Sequence, residues 1–262
     1  MRYIILILSA AVIAAVFYLV SISGGEEQNK EDIEFIEAVS SRAVSANIML
    51  INATETASYI SYSGGQSGAI ILKKSDRYYA LTALHGIPAG PESYNTKIIV
   101  LGYDQPAYTE ADEYTGLNEF YAQFPVADIE YYDDAYDLAV ISFQSDNDYL
   151  ELPIASGPPG YNEPVAVIGN PGQGERNTVV VGRITNKKPV LFRDKASGAQ
   201  YNIIQNSAKT SGGFSGGAVL NRNLELVGIH LGALVNIFHQ FRTSCAMPSD
   251  SILVFLAAWE KS

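Results

Sequence analysis

Ser215 lies between Gly212-Gly213-Phe214 and Gly216-Gly217, with the apolar runs 217–221 and 225–230 following. Glycine permits the positive-φ turns and close backbone approach that a side chain blocks, so this serine is expected on a tight loop between buried strands. Successive N–H groups of such a loop can converge on one point, which in acyl transfer is where an oxyanion would sit; Gly213 and Ser215 are the candidate donors. A serine hydroxyl becomes a useful nucleophile only when a base removes its proton and a third group orients that base. The chain offers three histidines, His85, His230 and His239. His85 ends the apolar run 78–84 and precedes Gly86, a strand end suited to a base. Asp137 opens the apolar run 137–143, at the mouth of a strand that must be buried. Asp133 and Asp134 compete, but they belong to the polar stretch 131–136, whereas an orienting carboxylate is held at the edge of packed structure. Ser215, His85 and Asp137 are therefore the candidate nucleophile, base and orienting acid.

Gly213-Phe214-Ser215-Gly216-Gly217 also fits the G-x-S-x-G nucleophile elbow, which requires an acid and then a histidine downstream of the serine. Downstream here the only aspartate is Asp250, and His230 and His239 both precede it. Glu225 followed by His239 would satisfy the order, but too little chain remains for the rest of that sheet.

The order His85, Asp137, Ser215, set in Leu-Thr-Ala-Leu-His, Asp-Leu-Ala-Val and Gly-Phe-Ser-Gly-Gly, resembles the chymotrypsin-fold serine peptidases from about Ile48 to the end of the chain. The resemblance implies two six-stranded antiparallel β-barrels with a triad in the cleft between them. His85 and Asp137 would come from the first barrel and Ser215 from the second. Within that fold the sequence is most similar to the bacterial glutamyl endopeptidases, through Thr-x-Gly-Gly-x-Ser-Gly at 210–216 and Gly-Ile-His at 228–230, and more loosely to HtrA-like peptidases. What this implies for specificity is that Thr210 and His230 contact an acidic substrate side chain, with Lys209 adding positive charge at the base of the pocket. A neutral His230 would take Gln nearly as well as Glu, so the expected preference is Glu or Gln. Phe214 departs from the Asp of the trypsin branch, so activation by a newly freed N-terminus is not expected.

The elements that must position these residues are strands. Segments 47–52, 68–73, 78–84 and 97–102 are β-branched or aromatic runs bounded by Gly, Asn and Ser, and no helical period competes with them. Segment 103–121, rich in Tyr, Asp and Glu, reads as a surface loop. Pro153, Gly157, Pro158, Pro159 and Gly160 mark a connection between two halves. The second half then supplies strands at 164–169, 177–184, 201–205, 217–221 and 225–230. Ile252, Phe255, Leu256 and Trp259 make one apolar stripe on a closing helix at 249–259, expected to dock on the second barrel. The expected organisation is thus all-β with a C-terminal helix: an apolar segment 1–23, an acidic tether with a short helix at 24–46, a first barrel at 47–150, and a second barrel with the helix at 151–262.

Residues 3–22 are apolar apart from Ser9 and Ser21, with Arg2 before and Glu26-Glu27 after. That length approaches the ~20 residues that span a bilayer and exceeds the ~7–15 of a cleaved signal's apolar region. It reads as an uncleaved membrane anchor, with cleavage near Ser21-Ile22-Ser23 and secretion as the alternative. Arg2 on the short side points to a cytoplasmic N-terminus and an extracytoplasmic remainder. A single cysteine, Cys245, excludes an intramolecular disulfide. The net charge of −11, without a basic run, argues against nucleic acid as a partner. No Cys/His cluster has metal-site spacing, and the chemistry calls for no metal or organic cofactor. The function expected is a serine endopeptidase acting on protein or peptide substrates. Its rival is a silent member of the fold that binds protein partners, which would have no need to keep Ser215, His85 and Asp137 together.

Overall fold

The computed structural model describes residues 26–89, 95–106, 108, 116–172, 175–193, 198 and 200–262. The apolar segment 1–23 lies outside them. Among the described residues no helix is long and apolar enough to cross a membrane.

Six antiparallel strands close the first barrel: β1 (Asn47–Glu55), β2 (Ile60–Lys74), β3 (Arg77–Ala83), β4 (Thr96–Leu101), β5 (Val126–Asp133) and β6 (Leu138–Gln144), in the order β1-β2-β3-β6-β5-β4. The pairing of β3 with β6 runs from Arg77 opposite Gln144 to Ala83 opposite Leu138. The residues just beyond β3 and just before β6 therefore meet at one rim, and these are Leu84-His85 and Asp137. Both strands are buried enough to hold that register. Leu81, Ala83, Leu138 and Val140 have no exposure, and a one-residue slip would turn such residues to the opposite face.

The second half is a seven-stranded sheet rather than the second closed six-stranded barrel expected from the sequence. It comprises β7 (Pro164–Gly169), β8 (Thr178–Arg183), β9 (Val190–Arg193), β10 (Gln200–Asn206), β11 (Ala218–Leu220), β12 (Leu226–Val235) and β13 (Phe241–Pro248), ordered β8-β7-β11-β12-β13-β10-β9. The difference lies in β10, which divides its pairing. Residues 200–203 pair with β9, and residues 204–206 pair with β13. Among the described residues, only the bridge between Ile184, just past the end of β8, and Asn206 links β10 towards β8. Beyond it Asn186 Oδ1 takes up the Gln205 N–H at 2.6 Å, which ends any continuing ladder.

Among the described residues three α-helices flank the two halves, and the last of them packs on both. Residues 26–41, expected as an acidic tether with a short helix, form α1 (Glu26–Ser41), docked on β7 and β8 with Phe35, Ile36 and Val39 buried. Asp32 of this helix meets Arg183 at 3.1 Å and Arg222 at 2.7 Å, and Glu31 meets Arg222 at 3.0 Å. A short helix, α2 (Leu117–Tyr121), buries Phe120 and Tyr121 against Met49 and Leu101 of the first barrel. The closing helix α3 (Ser249–Trp259) buries Ile252 and Phe255, as its stripe requires. It does not dock on the second half alone: Phe255 packs on Tyr131 and Tyr136, and Trp259 on Tyr79, all from the first barrel. The stripe marks which face is buried but not which partner buries it.

Candidate active site

His85 stands in the single turn Leu84–Gly86 that follows β3. Asp137 holds that turn twice, its carbonyl accepting from Leu84 N at 3.0 Å and its Oδ1 from His85 N at 2.9 Å. Its other oxygen, Oδ2, lies 2.7 Å from His85 Nδ1. Asp137 reaches this position in the left-handed region, φ 50°, a conformation Asp tolerates better than a β-branched residue does. Asp133, the sequence competitor, is occupied elsewhere, its Oδ1 accepting from Ala135 N at 2.8 Å. The carboxylate side chain is 16% exposed and the imidazole 46%, so the pair sits at the rim of the cleft with its acid side inward.

His85 Nε2 lies 3.1 Å from Ser215 Oγ, and that hydroxyl also approaches Leu231 O at 3.3 Å. The loop carrying Ser215 is seated where only glycine fits. At Gly213, φ 98°, a Cβ would fall 2.1 Å from Asn170 O, and at Gly216, φ 84°, 2.1 Å from Ser67 O. Four successive carbonyls of the loop are pinned. Gly212 O accepts from Gly172 N at 3.1 Å, Phe214 O from Gly217 N at 2.9 Å and Ser215 O from Ser67 N at 2.8 Å; Gly213 O accepts from Ser67 Oγ at 2.8 Å. In a trans peptide the N–H points opposite the carbonyl of the same unit. Fixing Gly212 O and Phe214 O therefore directs the Gly213 and Ser215 N–H groups to the other side of the loop. Neither N–H donates to any acceptor among the described residues. The arrangement can move a proton along Asp137, His85 and Ser215 and can offer two backbone donors to an oxygen beside the serine.

The residues given a specificity role do not converge in the same way. Ser244 Oγ donates to Ala208 O at 2.6 Å, which uses its only proton, so the 2.7 Å contact between Thr210 and Ser244 is a donation from Thr210. The Thr210 hydroxyl thus donates its proton to Ser244 inside the protein. Lys209 is exposed. His230 is 1% exposed, its ring perpendicular to Phe214 with centroids 6.2 Å apart, and its Nδ1 has no partner among the described residues. Burial, and secondarily the charge of His85, lowers its pKa to about 3, so the ring is neutral. Cys245 is a buried free thiol whose pKa burial raises to about 11, a packing residue rather than a nucleophile.

Next to His85 and Asp137 lies a cavity of about 350 Å³ whose walls include Phe192, Tyr201, Leu231 and Leu234. It follows β12, which pairs with β11 from Leu226 only as far as Ile229 and with β13 along its whole outer half. From Leu231 onward the other edge of β12 carries no strand among the described residues. Sequence reasoning missed Leu231, Ser67 and Asn170. The run Gly64-Gly65-Gln66-Ser67-Gly68 held a signal for Ser67, because glycines inside a strand mark close backbone approach.

The family model of the trypsin-like peptidase domain matches residues 74–229, more than half of the chain. The chain belongs to the trypsin-like peptidase domain family. No curated protein matches the sequence. Among solved structures it is similar to the inactive form of a serine-to-alanine mutant of Rv3671c from M. tuberculosis H37Rv, with a TM-score of 0.58 and 16% identity over 86% of this chain and 91% of the other. At that identity the likeness speaks for the fold. As a trypsin-like peptidase domain, the protein acts on protein or peptide substrates.

Proposed function

We propose that this peptidase is a serine endopeptidase in which Ser215 attacks the scissile carbonyl and His85 takes the serine proton and later delivers it to the leaving amine. Asp137 holds Nδ1–H and supports the imidazolium, and the Gly213 and Ser215 N–H groups receive the oxyanion. The observation that carries this reading is the unbroken line from Asp137 through His85 to Ser215, at 2.7 Å and 3.1 Å, beside two backbone donors that no other described group uses. The free edge of β12 supports an endopeptidase. It offers main-chain partners to an extended peptide, so it selects a stretch of chain rather than a charged terminus. Ser215→Ala tests the reading. Turnover of a peptide library should fall to the residual set by binding and the oxyanion donors, and cleavage at the wild-type rate would defeat it.

The reading extends to specificity and location. His230, a neutral imidazole beside Phe214, can donate one hydrogen bond to a Glu or Gln side chain preceding the scissile bond, with Thr210 bracing Ser244 behind it. His230→Ala should lower kcat/KM for Glu- and Gln-containing peptides far more than for apolar ones, and equal wild-type cleavage after Glu, Leu and Lys would remove the specificity claim. The apolar run 3–22 with Arg2 on its short side supports a membrane-tethered, extracytoplasmic catalytic domain. In that case the full chain stays with membranes through alkaline extraction, whereas release as a shortened soluble protein would indicate signal cleavage and secretion.

A further inference from the structure

Ser67 belongs to β2 of the first barrel, yet both of its hydrogen-bond donors serve the loop that carries Ser215. Its N–H donates to Ser215 O at 2.8 Å and its hydroxyl to Gly213 O at 2.8 Å. The direction of that hydroxyl is imposed by a neighbour. Asn170 donates to the same oxygen through its backbone N at 2.8 Å and through Nδ2 at 3.2 Å. With two donors directed at the oxygen, the single Ser67 proton has Gly213 O as its outlet. Asn170 is itself fully buried and fixed: Nδ2 reaches Ile48 O at 2.9 Å, while Oδ1 accepts from Arg176 Nε at 3.1 Å and Asn177 N at 3.1 Å. Arg176 in turn donates to Gly102 O at 2.9 Å and Gln105 O at 2.6 Å, on the first half of the molecule.

We infer that Ser67 is a positioning residue for the proposed reaction: through two hydrogen bonds it fixes the Gly213-Phe214 and Ser215-Gly216 peptide units, which adjoin the units carrying the Gly213 and Ser215 N–H groups and so limit how far those two donors can turn. It touches no substrate. Its effect is on the direction of donors whose value depends on being aimed before charge develops. Gly213 at φ 98° is the joint most able to rotate if that hold is lost, because glycine has other wells available. The hold also spans the two halves, so the donors stay aligned only while β2 and the 212–217 loop keep their contact.

The inference rests on the serine endopeptidase reading, and the full chain with Ser67→Ala tests it through kcat, KM, inhibition by a peptidyl aldehyde and the thermal midpoint. An aldehyde forms a hemiacetal whose oxygen uses the same donors as the transition state. Loss of one such donor costs ~10²–10³ in kcat, and misaiming both without removing either should cost ~10–100-fold. The expected result is that fall in kcat, a KM within about threefold of wild type, and an aldehyde inhibition constant raised by the same factor as kcat falls. Tyr78→Phe removes a buried hydroxyl bond to Asn147 O far from the loop; it should lower the thermal midpoint with kcat within about twofold. Ser67→Cys, with a weaker donor of similar shape, should fall between wild type and Ser67→Ala, and supplies the test if Ser67→Ala does not fold. Unchanged kcat and aldehyde inhibition in Ser67→Ala or Ser67→Cys, with wild type active, would overturn this inference alone. So would a kcat loss that Tyr78→Phe reproduces. A wild-type protein that neither cleaves peptides nor binds the aldehyde would remove the peptidase reading and this inference with it.

Discussion

Asp137→Asn separates the orienting role of the carboxylate from its place in the fold. Asp137 uses both oxygens, Oδ1 for the His85 backbone N–H at 2.9 Å and Oδ2 for Nδ1 at 2.7 Å. An asparagine has one oxygen and one NH₂. The backbone N–H can only donate, so the amide must turn its oxygen to that group and its NH₂ to Nδ1. The imidazole is then forced to accept at Nδ1 and carry its proton on Nε2, facing Ser215 Oγ, where no base remains to take the serine proton. A triad carboxylate replaced by an amide loses about 10⁴ in kcat through this wrong tautomer, or about 5 kcal/mol of transition-state stabilisation. The turn at Leu84–Gly86 keeps its two anchors, the Asp137 carbonyl and the remaining side-chain oxygen, so the thermal midpoint should move by no more than about 4 °C. Steady-state kinetics with a chromogenic peptide, alongside thermal unfolding, measure both quantities. A kcat within tenfold of wild type would refute the argument, as would a comparable loss explained by unfolding.

The buried His230 gives the protein a specific acid sensitivity. Its native pKa of about 3 lies below the ordinary value of 6.5. Between those two values the unfolded chain binds a proton that the native state does not, so stability falls as pH drops from about 6.5 towards 3, by up to ~1.4 kcal/mol per pH unit. His230→Gln should flatten that limb in denaturant titrations at pH 7 and pH 5, and an unchanged slope would show that His230 is not its source. For α1, Phe35→Ala should cost about 3 kcal/mol through lost burial. Asp32→Asn, in an ion-pair cluster whose side chains are 28–33% exposed, should cost about 1 kcal/mol or less. Comparable losses in urea unfolding would mean that charge rather than packing docks the helix.

What the sequence made legible was local. The run 138–144 is apolar along nearly its whole length, and β6 with Asp137 at its mouth follows from that; so does α3, whose period survives in the buried Ile252 and Phe255. Three strands were left unread: β9, a short run of four residues, and two without a continuous apolar signature. In β5, Tyr, Asp and Glu alternate across a half-exposed face, and β13 begins with Phe241, Arg242 and Thr243 before its buried half. Long-range choices were out of reach for a different reason. That β10 serves two partners, that α3 bridges both halves and that α1 packs on β7 and β8 depend on which surface lies opposite, information no local pattern carries. The same holds at the site. Ser215, His85 and Asp137 announce themselves by residue type, whereas the commitment of Thr210 to Ser244 and the grip of Ser67 on Gly213 depend on chain segments far apart in sequence.

The central claim is that Ser215 is the activated nucleophile of this peptidase, and covalent labelling by a fluorophosphonate tests it most directly. The reagent needs a serine made nucleophilic by a base and an oxygen hole to receive the phosphoryl oxygen, the two features assembled at 212–217 and His85. Wild-type protein should gain one phosphonyl adduct that peptide mass spectrometry assigns to Ser215, with Ser215→Ala unlabelled and Asp137→Asn labelled far more slowly. Wild-type protein that stays unmodified under conditions that label an active serine peptidase, or an adduct on any other residue, would contradict the claim and favour a silent, partner-binding member of the family.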